Sequence, residues 1–145
     1  MEIEVRNLQR KFPVDRKRTV LLARKALRAV GLEDAQVSIV YVSDRRIREM
    51  NRRYRQRNAP TDVLAFSQTE GEEAGGHPGL LGDVVISVES AARQAAEVGH
   101  PLENELDLLA VHGILHLAGF DHTRTERERR EMEGWTKKIL PRRRP

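Results

Sequence analysis

Between Leu102 and Ala118 the chain is apolar nearly all round at helical spacing: Leu106, Leu108, Leu109, Ala110, Val111, Ile114, Leu115, Leu117 and Ala118 leave no continuous polar face. A helix of that kind has to be buried. It nevertheless carries His112 and His116. Four residues apart, they project from one face, one turn from each other. A single histidine in an apolar helix is ordinarily a core residue with its nitrogens hydrogen-bonded. Two side by side need strong partners, and the run His112-Gly113-Ile114-Leu115-His116-Leu117-Ala118-Gly119-Phe120-Asp121-His122 supplies a third imidazole. Gly119 is placed to end the helix in the left-handed conformation. The chain then turns back and brings His122 toward the same point. Three imidazoles converging with a fourth position open form the ligand set of a catalytic zinc site. His77 and His100 lie in Gly/Pro-flanked stretches and are expected to be solvated.

The ligand spacing equals that of the long metzincin motif, with one difference. A metzincin has Glu after the first histidine as general base, and here Gly113 stands there. The metal cage is retained and the peptidase's base is missing. Cysteine is absent, which excludes disulfides and thiolate metal sites and leaves histidine as the remaining soft donor.

At 145 residues the chain reads as a single domain, 1–145, large enough to bury a core without staples. Aromatics are only 4%, so that core rests on Leu, Val, Ile and Ala. Alternation predicts strands over Glu2–Val5, Gln36–Val42, Val63–Ser67 and Leu81–Ser87. Asp15 caps a helix running to about Val30, with Val20, Leu21, Ala23, Leu27 and Val30 on or near its apolar face. Ser43 caps a helix to about Tyr54, and Ser87 opens one that ends at Gly99. Pro101 fits the first turn of the histidine helix. Thr123 and Glu126 form a capping box for a last helix to about Leu140, with Met132, Trp135 and Ile139 as its buried stripe. Thr69–Gly79 reads as a mobile loop and 141–145 as a frayed tail. The expected architecture is α+β: a small mixed four-stranded sheet with about five helices.

The N-terminus has no apolar signal region and no stretch approaches membrane-spanning length, so a cytoplasmic protein without a membrane partner is expected. Net charge is +4, leaning toward an anionic partner. Seven arginines lie between positions 45 and 57. Most read as a solvated helix face. Arg55 differs, because it is expected beyond the end of its helix, where a loop side chain can point into a cleft. Asp62 and Asp83 each stand at the start of an apolar strand. Either they satisfy turn amides or they orient a metal-bound histidine. Asp121, beside His122, is in sequence reach of the metal site as an acceptor or a base, and as a lone turn residue it reads more simply as capping backbone amides.

The histidine run closely resembles the signature of the YbeY family of bacterial rRNA-maturation endoribonucleases. Asn51 to Phe66, with Tyr54-Arg55 and Pro60-Thr61-Asp62-Val63-Leu64, looks like that family's central segment. Leu81-Gly82-Asp83-Val84-Val85-Ile86-Ser87 resembles its next strand. Ala65 and Ser67 depart from the family's usual serine and proline, beside the motif. The resemblance covers essentially the whole chain. It implies a metal-dependent endoribonuclease that prefers single-stranded RNA, acts in maturation of the 3′ end of small-subunit rRNA and in late ribosome quality control, and works on the ribosomal subunit. It implies zinc (Zn2+) at His112, His116 and His122 and a functional arginine at Arg55, with Arg55 and His112 carrying catalysis. Oligomeric state is not readable. Two rivals remain: a metalloprotease-like hydrolase, opposed by Gly113, and a non-catalytic assembly factor stabilised by a closed structural metal.

Overall fold

The computed structural model describes residues 1–56, 61–68, 80–120 and 125–140. Its elements, in chain order, are β1 (Glu2–Asn7), α1 (Arg16–Ala29), β2 (Gln36–Val42), α2 (Asp44–Arg55), β3 (Val63–Ser67), β4 (Leu80–Ser87), α3 (Val88–Val98), α4 (Leu102–Leu117) and α5 (Glu126–Ile139). The expected mixed four-stranded sheet and five helices are present, so the fold is α+β. The loop expected at Thr69–Gly79 and the tail expected at 141–145 lie outside the described residues.

Strand order is β1-β2-β4-β3. β1, β2 and β4 are parallel, and β3 lies antiparallel at the edge. Period-two alternation splits each strand between two faces. Ile3, Val5, Ile39, Tyr41, Val84 and Ile86 point to a layer built from α1 and α4, with Ala91 of α3 and Ile139 of α5 closing it. Val42, Leu64 and Val85 point the other way, under Ile47 of α2. Ile47 is fully buried, which contributes about 1.5–3 kcal/mol.

Local signals set most boundaries. Asp15 accepts from the Arg18 N–H, Ser43 from Arg46 and Ser87 from Ser90, each satisfying a donor at the first turn of its helix. Four expectations are corrected. β1 runs two residues past Val5, because its parallel pairing with β2 continues to Asn7 opposite Tyr41. Leu21 is 65% exposed, and the buried face of α1 is Thr19, Ala23, Ala26 and Leu27. Thr19 belongs there because its Oγ1 lies 2.6 Å from the buried Tyr41 hydroxyl; burial pushes that phenol up to about 12. The capping box on α5 is Thr125 with Glu128 rather than Thr123 with Glu126. Both frames fit the pattern, and Thr123 lies outside the described residues. The observed frame places Glu126 and Glu128 together in the first turn, facing the positive end of the helix dipole. Asp83 is the fourth residue of β4, not its start, because Leu80 to Gly82 already pair with β2 and β3.

Candidate active site

α4 places the two histidines. Gly113, Ile114 and Leu115 are buried, whereas His112 and His116 are half-buried on the side the core leaves open. Among the described residues, no group hydrogen-bonds either imidazole. Half-buried ring nitrogens without protein partners fit metal coordination better than a core role. Burial lowers the pKa of His112, outweighing the charges of Asp62 and Glu105, which raise it. The neutral ring is the form that binds a metal. Gly119 has φ 102° and ends the helix as expected, its N–H donating to the His116 carbonyl. His122 and Asp121 lie outside the described residues. Among the described residues no three His, Cys, Asp or Glu side chains are grouped to hold a metal ion.

Gly113 is explained by packing. A Cβ at that position would overlap the methyl groups of Val84 on β4. The backbone of α4 is therefore pressed onto the sheet, and a glutamate at 113 would be driven into β4 rather than toward the histidines.

Arg55 is the last residue of α2, not a loop residue. The helix runs one residue further than expected because Gln56 takes the left-handed conformation at φ 59° and donates its N–H to the carbonyls of Arg52 and Asn51. Position at the helix end still frees the guanidinium. Its Nη2 reaches the Ala65 carbonyl at 3.4 Å, a long and weak contact. The bonds Ser87 N–H to Asp62 carbonyl and Gln68 N–H to Leu81 carbonyl bracket β3. That register turns the main-chain groups of Ala65 outward along the sheet edge. Of the other arginines in this stretch, Arg52 is paired with Glu49 at 2.6 Å on the helix surface, and Arg57 lies outside the described residues.

β3 is thus a wall shared by two of the candidate residues. Asp62, just before it, is within electrostatic reach of His112, and Ala65, three residues on, carries Arg55. The Asp62 carboxylate accepts from Gln94 Nε2 at 3.0 Å rather than capping a turn. Asp83 accepts from Gln68 Nε2 at 3.3 Å on the sheet face beneath α2.

Three participants were not anticipated. Glu105 is buried in α4, and His100 donates Nε2–H to its Oε1 at 2.8 Å, so His100 is not simply solvated. A carboxylate inside an otherwise apolar helix was the available signal for Glu105. Gln94 had none, because its partner is 32 residues away. Asp107, also buried, is held by both Arg18 Nε and Nη2, the shortest contact being 2.6 Å. That ion pair lines the open clefts of about 540 and 690 Å3 beside α1, which contain neither histidine.

Comparison with known proteins identifies the family. The family model described as Endoribonuclease YbeY matches residues 4–143. A Pelotomaculum thermopropionicum protein named Endoribonuclease YbeY is 51% identical, over 98% of this chain and 97% of its own length. One of the same name from Syntrophotalea carbinolica is 46% identical, over 92% of this chain and 88% of its own. The solution structure of a Thermotoga maritima protein shares the fold, with a TM-score of 0.63 at 23% identity, covering 95% of this chain and 89% of that one. No helix among the described residues is long and apolar enough to cross a membrane. A family match over residues 4–143, together with 51% identity along nearly the whole length of both chains, shows that the chain belongs to the YbeY family.

Proposed function

We propose that this chain is a metal-dependent endoribonuclease, a single catalytic domain over 1–145, that prefers single-stranded RNA. The observation that carries the reading is the pair of half-buried, unpartnered imidazoles on α4 in a chain 51% identical to a protein named as an endoribonuclease. His112, His116 and His122 hold one zinc ion. When bound, zinc polarises a phosphoryl oxygen and makes water nucleophilic near neutral pH. Burial lowers the pKa of His112 and so favours the neutral ring, whose lone pair can bind a metal. Arg55 lies at the edge of β3, where among the described residues it has only a long contact to Ala65 to give up. Its planar fork grips the scissile phosphate and offsets charge that develops as the bond breaks. The natural substrate is small-subunit rRNA near its 3′ end, met on the ribosomal subunit in the cytoplasm, where the protein also serves late ribosome quality control.

Packing of Gly113 against Val84 argues against a peptidase. A leaving amine has to be protonated by a positioned acid, and position 113 cannot present one. A non-catalytic assembly factor is the remaining alternative, and it requires a closed metal site. Zinc analysis of the purified protein, combined with a panel of single-stranded RNA, duplex RNA, DNA and casein with and without chelator, decides between them. One equivalent of zinc and chelator-sensitive cleavage, best on single-stranded RNA, is expected. Robust casein cleavage overturns the reading, and a metal-loaded protein that cuts nothing favours the assembly factor.

A further inference from the structure

The sheet face opposite α4 is only partly covered. α2 lies over Val42, Leu64 and Val85, and at its C-terminal end a groove of about 370 Å3 opens onto the strands. On the floor, Ser38, Asp83 and Phe66 stand side by side on β2, β4 and β3. Tyr54 forms one wall and meets Phe66 edge to face, with 5.6 Å between ring centroids. Tyr54 is 62% exposed and stands outside both apolar clusters of the core. Its ring is offered to solvent beside a polar floor, where Gln68 donates to one oxygen of Asp83.

A second groove, of about 650 Å3, runs along α2 and is lined by Arg45, Arg46 and Arg53, with one carboxylate, Glu49, among them. Tyr54 and Met50 line both grooves. Tyr54 therefore borders both a groove in which arginines outnumber the one carboxylate and a groove with an aromatic wall and Asp83 on its floor. That pairing matches what a single strand of RNA presents: phosphates for the cations and an unstacked base for the ring. Arg6 of β1 also lines the smaller groove, so its charge is mixed; what suits it to a base is the exposed ring of Tyr54 beside an acceptor on the floor. A carboxylate only accepts hydrogen bonds, so it favours a base edge that donates through an amino group. A duplex keeps its base faces stacked and cannot enter. Arg55 directly follows Tyr54 and touches Ala65, next to Phe66, which sets the groove beside the proposed phosphate grip.

We infer that this groove is a nucleobase subsite. An unstacked base carrying an exocyclic amino group lies on Tyr54 with its edge toward Asp83, while Arg46 and Arg53 take flanking phosphates. The assignment rests on the reading of the chain as an RNA endonuclease and adds base preference to it.

The test is fluorescence anisotropy of the full-length, zinc-loaded protein with labelled 2′-O-methyl oligo(A), oligo(C), oligo(U) and an abasic strand of the same length. The parent binds oligo(A) and oligo(C) roughly tenfold more tightly than the abasic strand. Tyr54→Ala abolishes that ratio, and Tyr54→Phe, which keeps the ring, preserves it. Asp83→Asn keeps the ratio but loses the preference for oligo(A) and oligo(C) over oligo(U). Circular dichroism identifies any variant that fails to fold, in which case the parent's own base-to-abasic ratio decides. No such ratio in the parent, or an unchanged ratio in folded Tyr54→Ala, overturns the subsite. Cleavage assayed in parallel separates the two readings. A parent that cuts RNA without base discrimination removes only the subsite, and one that discriminates bases but cuts nothing removes only the nuclease.

Discussion

Gly113 and Val84 touch with no room for a β-carbon between them. Val84 is fully buried in the middle of β4, so this contact sets how closely α4 approaches the sheet. His112, the next residue along, takes its position from that approach. Gly113→Ala should therefore destabilise the protein by about 1–2 kcal/mol, the strain of overpacking less the helix propensity that alanine restores. The double variant Gly113→Ala with Val84→Ala should lose less than the sum of the two single changes, because the second removes the colliding methyls. Urea unfolding of the four proteins checks this, and strict additivity would refute the contact's role.

His116→Ala should abolish zinc binding and remove the stabilisation that zinc gives. In excess zinc its melting temperature should fall by roughly 5–10 °C relative to the parent, while the two metal-free proteins melt much closer together. Elemental analysis provides the direct readout. One full equivalent of zinc on the variant would show that His116 is not a ligand.

Arg55→Ala should lower RNA cleavage by about 100-fold. Zinc content and melting temperature should hardly move, because among the described residues the guanidinium makes only the long contact to Ala65. Arg55→Lys should rescue only part of the loss, since an ammonium does not reproduce the fork. Arg53→Ala should instead weaken binding in a salt-dependent way. Single-turnover rates at two ionic strengths distinguish the cases, and parental turnover by Arg55→Ala would remove it from the mechanism.

Asp44 gives the pH dependence of the fold. Burial by itself would raise its pKa, but hydrogen bonds from Arg93, Ser87 and Ser90 outweigh burial and hold it below its ordinary value near 3.8. A carboxylate whose folded pKa is depressed stabilises the protein above its unfolded value, and that contribution is lost as pH falls through the folded value. Asp44→Asn should thus cost about 1–2 kcal/mol at neutral pH, and the gap to the parent should close below about pH 4. Melts at pH 7, 5, 4 and 3 test the sign. A gap that widens with acid would contradict it.

Much of the local structure was legible because it is decided within a few residues. The side chains of Asp15, Ser43 and Ser87 can each reach the first-turn amides of their own helix, and all three do. The same locality misled where two frames were equally good, as at Thr123 and Thr125, or where one extra residue could take the left-handed conformation, as Gln56 does. Of the candidate site, the helical spacing of His112 and His116 was visible for the same reason, and so was the anomaly of glycine at 113.

What joins elements far apart in the chain was not legible. Nothing near Asp62 announces Gln94, nothing near Arg18 predicts that it grips Asp107 on α4, and no local pattern orders the strands β1-β2-β4-β3. In the sequence by itself, periods of 3.6 and 2 residues, with local caps, were enough to mark which segments become helix or strand and where two imidazoles share a helix face, though not that Thr19 and not Leu21 faces the core. Only the tertiary structure decided that α4 lies bare-backed on Val84, that Arg55 reaches the outer edge of β3, and that Tyr54 stands open between two grooves. Those relationships come from packing the whole sheet and its helices at once, where each contact depends on the others.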